Sequence, residues 1–436
     1  MQDPLLARSL AAVWHPCTQM KAHGDGLSPL LPIVRGHGVW LEDASGRRFL
    51  DGISSWWVNL FGHCNARIGG AVADQLQHLE HVMLAGCTHE PVVQLSERLA
   101  QLTANALGHC FYASDGASAT EIALKMSAHY WRNSGKPAKN KFLCLAGGYH
   151  GETIGALGVT DIPIFRDAYS ALIRSATILP SADARQADSP LEAADAAAKA
   201  LERHLAQHHE QTAALILEPL VQCAAGMAMH DPAYLRLARE LCDHYQVHLI
   251  CDEIAVGFGR TGSMFAHEQA AIRPDILCLS KGISGGYLPL SVVMTRDLIY
   301  QSFYDDRTAM GFLHSHSYTG NPLACRAALA TLDIFAADNV LAANCVRSDK
   351  INDRLKPLAG NPAVSAYRRR GMIFAFDVAS DAGFSRRFQH AALERGVLLR
   401  PIGNTVYLMP PYILDDREID HLCQATLDAL ATALAA

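Results

Sequence analysis

Nothing in this sequence approaches the length of a membrane span: apolar stretches are short, and the one from Ala213 to Leu217 is broken at once by Glu218-Pro219. A basic excess is missing too. The formal charge of −6 and a pI near 6.4 give no electrostatic footprint for nucleic acid or an anionic membrane. None of the twelve cysteines forms a C-x-x-C pair, and several lie singly in apolar runs such as Leu249-Ile250-Cys251. A disulfide framework is thereby excluded, and buried thiols in a reducing compartment are expected. Internal repeats are absent, and low complexity is confined to the alanine-rich Glu192 to Ala200. Met1-Gln2-Asp3-Pro4 lacks the basic and then apolar pattern of a signal peptide. The expectation is a soluble, cytoplasmic protein.

What is present is a chain of 436 residues, half of them hydrophobic, enough for a large core and more than one domain. Strand-like and helix-like segments alternate through the middle, which predicts an α/β domain on a mostly parallel sheet. The expected strands are Cys110 to Ala113, Lys141 to Ala146, Ala213 to Glu218, Val247 to Asp252, Ile276 to Ser280 and Leu290 to Thr295. Helices are expected over Ala119 to Asn133, Leu191 to His208 (as a solvated surface helix) and Pro232 to Tyr245. Near the N-terminus, Asp43-Ala44-Ser45-Gly46 reads as a turn between two short strands. The last hundred residues read as helices over Pro322 to Asp333 and Val340 to Leu358, then strands and a closing helix from Asp416. A small domain built from residues 1–58 and 331–436 is expected around a large one spanning 59–330.

Chemistry concentrates at the ends of the predicted strands. Lys281 closes one apolar strand, 29 positions after Asp252-Glu253 closes another. An amine delivered by a buried strand loses solvation, which lowers its pKa and makes it a better nucleophile. A strand-terminal carboxylate such as Asp252 needs a cationic or donor partner, and a protonated ring nitrogen would serve. Arg260 is the default structural partner for Asp252 or Glu253, and Glu218 is a further strand-terminal acid that leans toward positioning the site. Ser114 to Glu121 follows a strand and opens a helix; it reads equally as a phosphate seat or as a capping box of Ser118 with Glu121. Gly147-Gly148-Tyr149-His150-Gly151 turns sharply after its strand and can present Tyr149 to a flat ligand. Paired tryptophans are usually core, yet Ser54-Ser55 before Trp56-Trp57 makes one exposed indole plausible. His314 and His316 lack an obvious third ligand, so no metal site is expected.

These motifs, in this order and over nearly the whole chain, resemble the class III aminotransferases of the fold-type I pyridoxal phosphate superfamily. Four segments carry the resemblance to its oxononanoate-aminating members: Trp14-His15-Pro16 with Thr18-Gln19-Met20, Ser54 to Trp57, Gly147 to Gly151, and Leu399-Arg400-Pro401 with Tyr407 to Tyr412. The resemblance implies a seven-stranded, mostly parallel sheet in the large domain, a smaller α+β domain, and pyridoxal 5′-phosphate as cofactor. It makes Lys281 the Schiff-base lysine and Asp252 the partner of the pyridine nitrogen, and it packs Tyr149 against cofactor and substrate. Gly116 and Ala117 become the phosphate seat, with His316 and Ser317 reaching the phosphate from the neighbouring subunit of a homodimer. Trp56, Trp57, Ser315, Arg400 and Tyr407 become substrate-binding, Arg400 as a bidentate carboxylate partner. The implied reaction moves an amino group from S-adenosylmethionine to 8-amino-7-oxononanoate in biotin biosynthesis. Lysine as donor, or an ω-aminotransferase acting on 4-aminobutyrate, ornithine or a diamine, stays open. Cys17 and Ser315-His316-Ser317 stand where many relatives carry a tyrosine and a Gly-Pro-Thr run.

Overall fold

A computed structural model describes residues 4–435, which divide into two compact units. The larger comprises residues 66–345 with Arg370–Met372, and the smaller the remaining segments up to Asn65, Val346–Arg369 and from Ile373 on.

The large unit is built on a seven-stranded sheet. In spatial order its strands are His109–Ala113, Ser291–Thr295, Ile276–Leu279, His248–Asp252, Thr212–Leu217, Lys141–Leu145 and Thr177–Leu179. Only Ser291–Thr295 runs against the others, pairing antiparallel with both of its neighbours. Every residue of the four strands from Thr212–Leu217 to Ser291–Thr295 is buried. That explains their unbroken apolar composition, since a parallel sheet is covered on both faces. Because the pairing is parallel, Asp252 lies beside Cys278 and Cys251 beside Leu217. The residues that follow these strands, from Glu218 to Lys281, therefore emerge along one edge of the sheet.

The structure corrects several sequence expectations in this unit. Pro190–His208 is a surface helix, as expected, but only one face is solvated: Ala193, Ala197, Leu201 and Leu205 form a buried stripe at four-residue spacing. Helix Gly116–Asn133 starts three residues early, with Asp115 as its cap. The Asp115 carboxylate accepts from the amide and hydroxyl of Ser118 at 2.9 Å each. The Ser118–Glu121 capping box does not form; Glu121 instead accepts from Thr153 Oγ1 at 2.6 Å and the Gly155 amide at 2.8 Å. The edge strand Thr177–Leu179 was too short to predict.

The smaller unit holds a sheet of Ile33–His37, Trp40–Asp43, Arg48–Asp51 and Val397–Leu398, the last pair parallel. A second sheet contains Val364–Arg370, Ile373–Val378 and Thr405–Leu408. Asp43 closes the expected turn by accepting from the amides of Ser45 and Arg47. The helix from Val340 ends at Arg354 and gives way to a 3₁₀ turn at Lys356–Gly360, because Pro357 disfavours helical backbone at the residue before it. Val364–Arg370 went unseen because its sequence is mostly polar. Among the described residues no single helix is long and apolar enough to cross a membrane.

A buried charge cluster fixes how the central strands of the large unit begin. Asp275 accepts from Arg239 Nη1, Arg296 Nη1 and the Leu249 amide, each at 2.8 Å. Burial raises the Asp275 pKa, but Arg239, His248 and the Leu249 amide outweigh it and hold the carboxyl below its usual value. Asp275→Ala leaves Arg239 without its buried carboxylate and with only the exposed Asp243, so it should cost about 3 kcal/mol in urea unfolding.

Candidate active site

The Asp252 carboxylate is 3 % exposed and lies where its strand ends. Its Oδ1 accepts from the Ile254 amide at 3.1 Å, and its Oδ2 accepts from His150 Nδ1 at 2.7 Å. A carboxylate can only accept, so Nδ1 carries the proton. Thr160 Oγ1 accepts from the His150 amide at 3.0 Å, and Thr120 Oγ1 donates to its carbonyl at 2.7 Å, which fixes the backbone that carries the imidazole. Sequence reasoning quoted His150 within its motif and gave it no role. Its partner lies 102 residues away, and no local signal announces the pair.

Lys281 extends the adjacent strand through Ser280, whose hydroxyl donates to the Leu290 carbonyl at 2.8 Å. Its φ of +46° is in the left-handed region, a strained conformation for a non-glycine residue that surrounding structure must enforce. Water still reaches part of the residue, yet protein atoms crowd the amine enough for desolvation to lower its pKa, against opposing pulls from Asp252, Cys223 and Glu218. Glu218, buried at the end of the next strand, accepts from the Tyr149 amide and the Cys223 amide at 3.0 Å each. Burial pushes its pKa up to about 7, the neighbouring Asp252 adding to the rise.

The glycine loop and the helix start meet at this edge. A Cβ on Gly151 would sit 2.5 Å from the Ala117 side chain, and one on Gly116 would sit 2.9 Å from Ile254. The motifs around residues 116, 151 and 252 thus touch each other, although the sequence separates them widely. Gly116 and Ala117 are partly exposed, and their amides fall in the first turn of the helix, where the helix itself supplies no acceptor. Tyr149 is half-buried; its hydroxyl donates to Glu152 at 2.8 Å and its ring packs edge-on to Phe165. Arg260 is fully buried, and Glu253, one of the acids expected near it, accepts from His267 Nδ1 at 2.7 Å. Ser315, His316 and Ser317 belong to a different segment, whose His314 accepts from Lys125 Nζ at 2.8 Å and contacts His316 at 3.0 Å.

The remaining expected substrate residues belong to the smaller unit. Ser54, Ser55, Trp56 and Trp57 have φ of 51°, 46°, 71° and 73°, a left-handed turn made without glycine. Left-handed backbone costs roughly 1–2 kcal/mol per residue of this kind. Trp56 is 43 % exposed and lies beneath Arg400, whose guanidinium carbon is 5.1 Å from the ring centre. Arg400 also donates to the Cys17 carbonyl at 2.9 Å. Trp57 and Tyr407, also expected to bind substrate, are buried and joined by a 3.2 Å bond from Trp57 Nε1 to the tyrosine oxygen.

An amine whose cationic form desolvation disfavours, near an anchored buried carboxylate and a helix start whose first-turn amides have no acceptor within the helix, suits amine chemistry on a phosphorylated, nitrogen-containing carbonyl compound. Pyridoxal phosphate has those three features. The comparisons agree with this class: the Aminotransferase class-III family profile matches residues 21–430, and the chain belongs to that family. Among its relatives is the adenosylmethionine-8-amino-7-oxononanoate aminotransferase of Helicobacter pylori, 47 % identical, with 96 % of this chain and 95 % of that protein covered. The crystal structure of the enzyme of the same name from Methanocaldococcus jannaschii superposes with a TM-score of 0.92 at 34 % identity, covering 98 % of each chain. An amine transaminase from an uncultivated Pseudomonas species, solved with PLP bound, superposes with a TM-score of 0.91 at 33 % identity, covering 96 % of this chain and 98 % of that one.

The raised pKa of Glu218 has a thermodynamic consequence. Between about 4.5 and 7 the folded protein holds a proton that the unfolded chain releases. This contribution to stability is complete below 4.5 and is lost as pH rises through 7. Glu218→Gln cannot titrate, so thermal unfolding across that range should show the variant gaining on the wild type as pH rises. A constant difference would mean that Glu218 is ionised throughout.

Proposed function

We propose that the protein transfers an amino group from S-adenosylmethionine to 8-amino-7-oxononanoate, giving 7,8-diaminononanoate in biotin biosynthesis, with pyridoxal 5′-phosphate as carrier. The likeness to the Helicobacter pylori enzyme over nearly the whole of both chains carries this reading. The exposed Arg400 on its tryptophan platform supports it, because the acceptor ends in a carboxylate.

When bound, pyridoxal phosphate supplies an aldehyde to carry the amino group and a ring that accepts electrons. Lys281 Nζ, made more basic-form by desolvation, takes the proton from the amino-bearing carbon of the donor and returns one in the acceptor half. Asp252 would face the ring nitrogen and favour its protonated form, and His150 aims Asp252 by donating to it. Gly116 and Ala117 offer amides to the phosphate at the positive helix end. Tyr149 lies against cofactor and substrate, its backbone anchored by Glu218.

On this reading the enzyme is a cytoplasmic homodimer in which His316 and Ser317 reach the phosphate of the neighbouring subunit. All twelve cysteines are free, which suits a reducing compartment. Leu313, 80 % exposed, and Tyr318, 65 % exposed, flank that segment and are apolar surface that a second subunit would cover. A donor panel in single-turnover experiments separates S-adenosylmethionine from lysine.

Lys281→Ala should lower turnover by about 10³-fold or more and abolish the absorbance of covalently held coenzyme. Retention of either would reject the assignment. Arg400→Ala should raise the KM for the oxononanoate by about 10- to 100-fold, the worth of a charge-assisted pair, with a much smaller effect on the donor half-reaction. Equal damage to both halves would mean that Arg400 does not bind the acceptor's carboxylate.

A further inference from the structure

The left-handed turn at Ser54–Trp57 is held by a buried polar chain to which neither the sequence reading nor the reaction assigns a role. Asp51, fully buried, accepts from the Ser55 amide at 2.9 Å through Oδ1 and from the Ser55 hydroxyl at 2.7 Å through Oδ2. The same Oδ2 accepts from His63 Nε2 at 3.0 Å. Asn59 Nδ2 donates to His63 Nδ1 at 3.1 Å, which fixes the tautomer that places the proton on Nε2. Asn59 Oδ1 accepts in turn from the Gly62 amide at 2.7 Å. On the other side, the Ser54 hydroxyl donates to the Met409 carbonyl at 2.7 Å.

The consequence is geometric. With Ser54 and Ser55 pinned, Trp57 turns into the core and Trp56 turns out, its ring beneath the Arg400 guanidinium. Glycine, the residue that adopts this backbone without strain, is absent from the turn. Hydrogen bonds must do the holding, and those of Ser55 converge on Asp51.

We propose that Asp51, backed by His63 and Asn59, is a positioning residue for carboxylate recognition: it holds the left-handed turn that keeps Trp56 under Arg400, and so sets the orientation of the guanidinium. The inference rests on Arg400 as the acceptor's carboxylate partner and adds the device that aims it.

The test uses the holoenzyme and two acceptors, 8-amino-7-oxononanoate and the same amino ketone without its carboxylate. Asp51→Asn should lower the ratio of kcat/KM for the two acceptors by about tenfold, chiefly through KM, as expected for a misaimed contact. In an Arg400→Ala background the same substitution should leave the ratio unmoved, since the two act on one contact. Ser55→Ala keeps the Asp51–His63 pair and should show the same pattern, about threefold, if Asp51→Asn does not fold. A penalty that falls equally on both acceptors, or persists undiminished without Arg400, would make Asp51 a general stability residue and overturn the proposal. A full Arg400 effect with no Asp51 dependence would overturn the proposal alone. No Arg400 effect on the ratio would overturn the carboxylate reading and the proposal together.

Discussion

The buried pair of Asp252 and His150 is the contact on which the large unit's chemistry turns. A carboxylate taken out of water stays ionised only if donors replace the lost solvation. Here the Ile254 amide and the His150 imidazole supply them. The sheet places the anion at the carboxyl end of a wholly buried strand, and Thr120 and Thr160 hold the imidazole by its backbone. The tight approach of Gly151 to Ala117 ties that histidine's loop to the helix start. Motifs that look independent in sequence are thereby one rigid assembly.

The same environment shifts two neighbouring groups in opposite directions. Glu218 shares the low-dielectric edge with Asp252, and two ionised carboxylates there would repel each other. Burial and that repulsion push the Glu218 pKa up to about 7, although two amides favour its charge. Lys281 feels the opposite pressure, its cationic form disfavoured by desolvation and favoured by the acids around it. Titratable groups whose surroundings push their pKa values apart are how one site can hold an acid and a base side by side.

Most of the large unit was legible because fully buried strands announce themselves as unbroken apolar runs. The residues that end them are the chemical ones, so Lys281, Asp252 and Glu218 could be singled out together. Strands with little apolar content, such as Val364–Arg370, gave no such signal. The cap of helix Gly116–Asn133 was misplaced because Ser118 and Glu121 have capping spacing while Asp115 has the position. Contacts between residues distant in sequence were illegible. His150 meets Asp252 across 102 positions, and Trp57 meets Tyr407 across 350. The second contact accompanies the burial of Trp57, a residue expected to bind substrate.

Strain without glycine is the feature that sequence could not show at all, and it constrains how the tryptophan pair works. A glycine turn would adopt the left-handed path readily, but it would also populate other paths and lose the fixed direction of its neighbours. Serine at both leading positions gives up that ease and gains two hydroxyls, one to the Met409 carbonyl and one to Asp51. The turn is then only as rigid as those bonds. Opposite orientations for adjacent indoles follow from them, one stacked under a guanidinium and the other bonded to a buried phenol. A cation over an indole face is attracted weakly when solvated and more strongly as water is excluded. Arg400 is exposed, so the ring beneath it contributes more to direction than to affinity. A platform that must give direction has to be stiff, and the hydrogen bonds beneath the turn provide that stiffness.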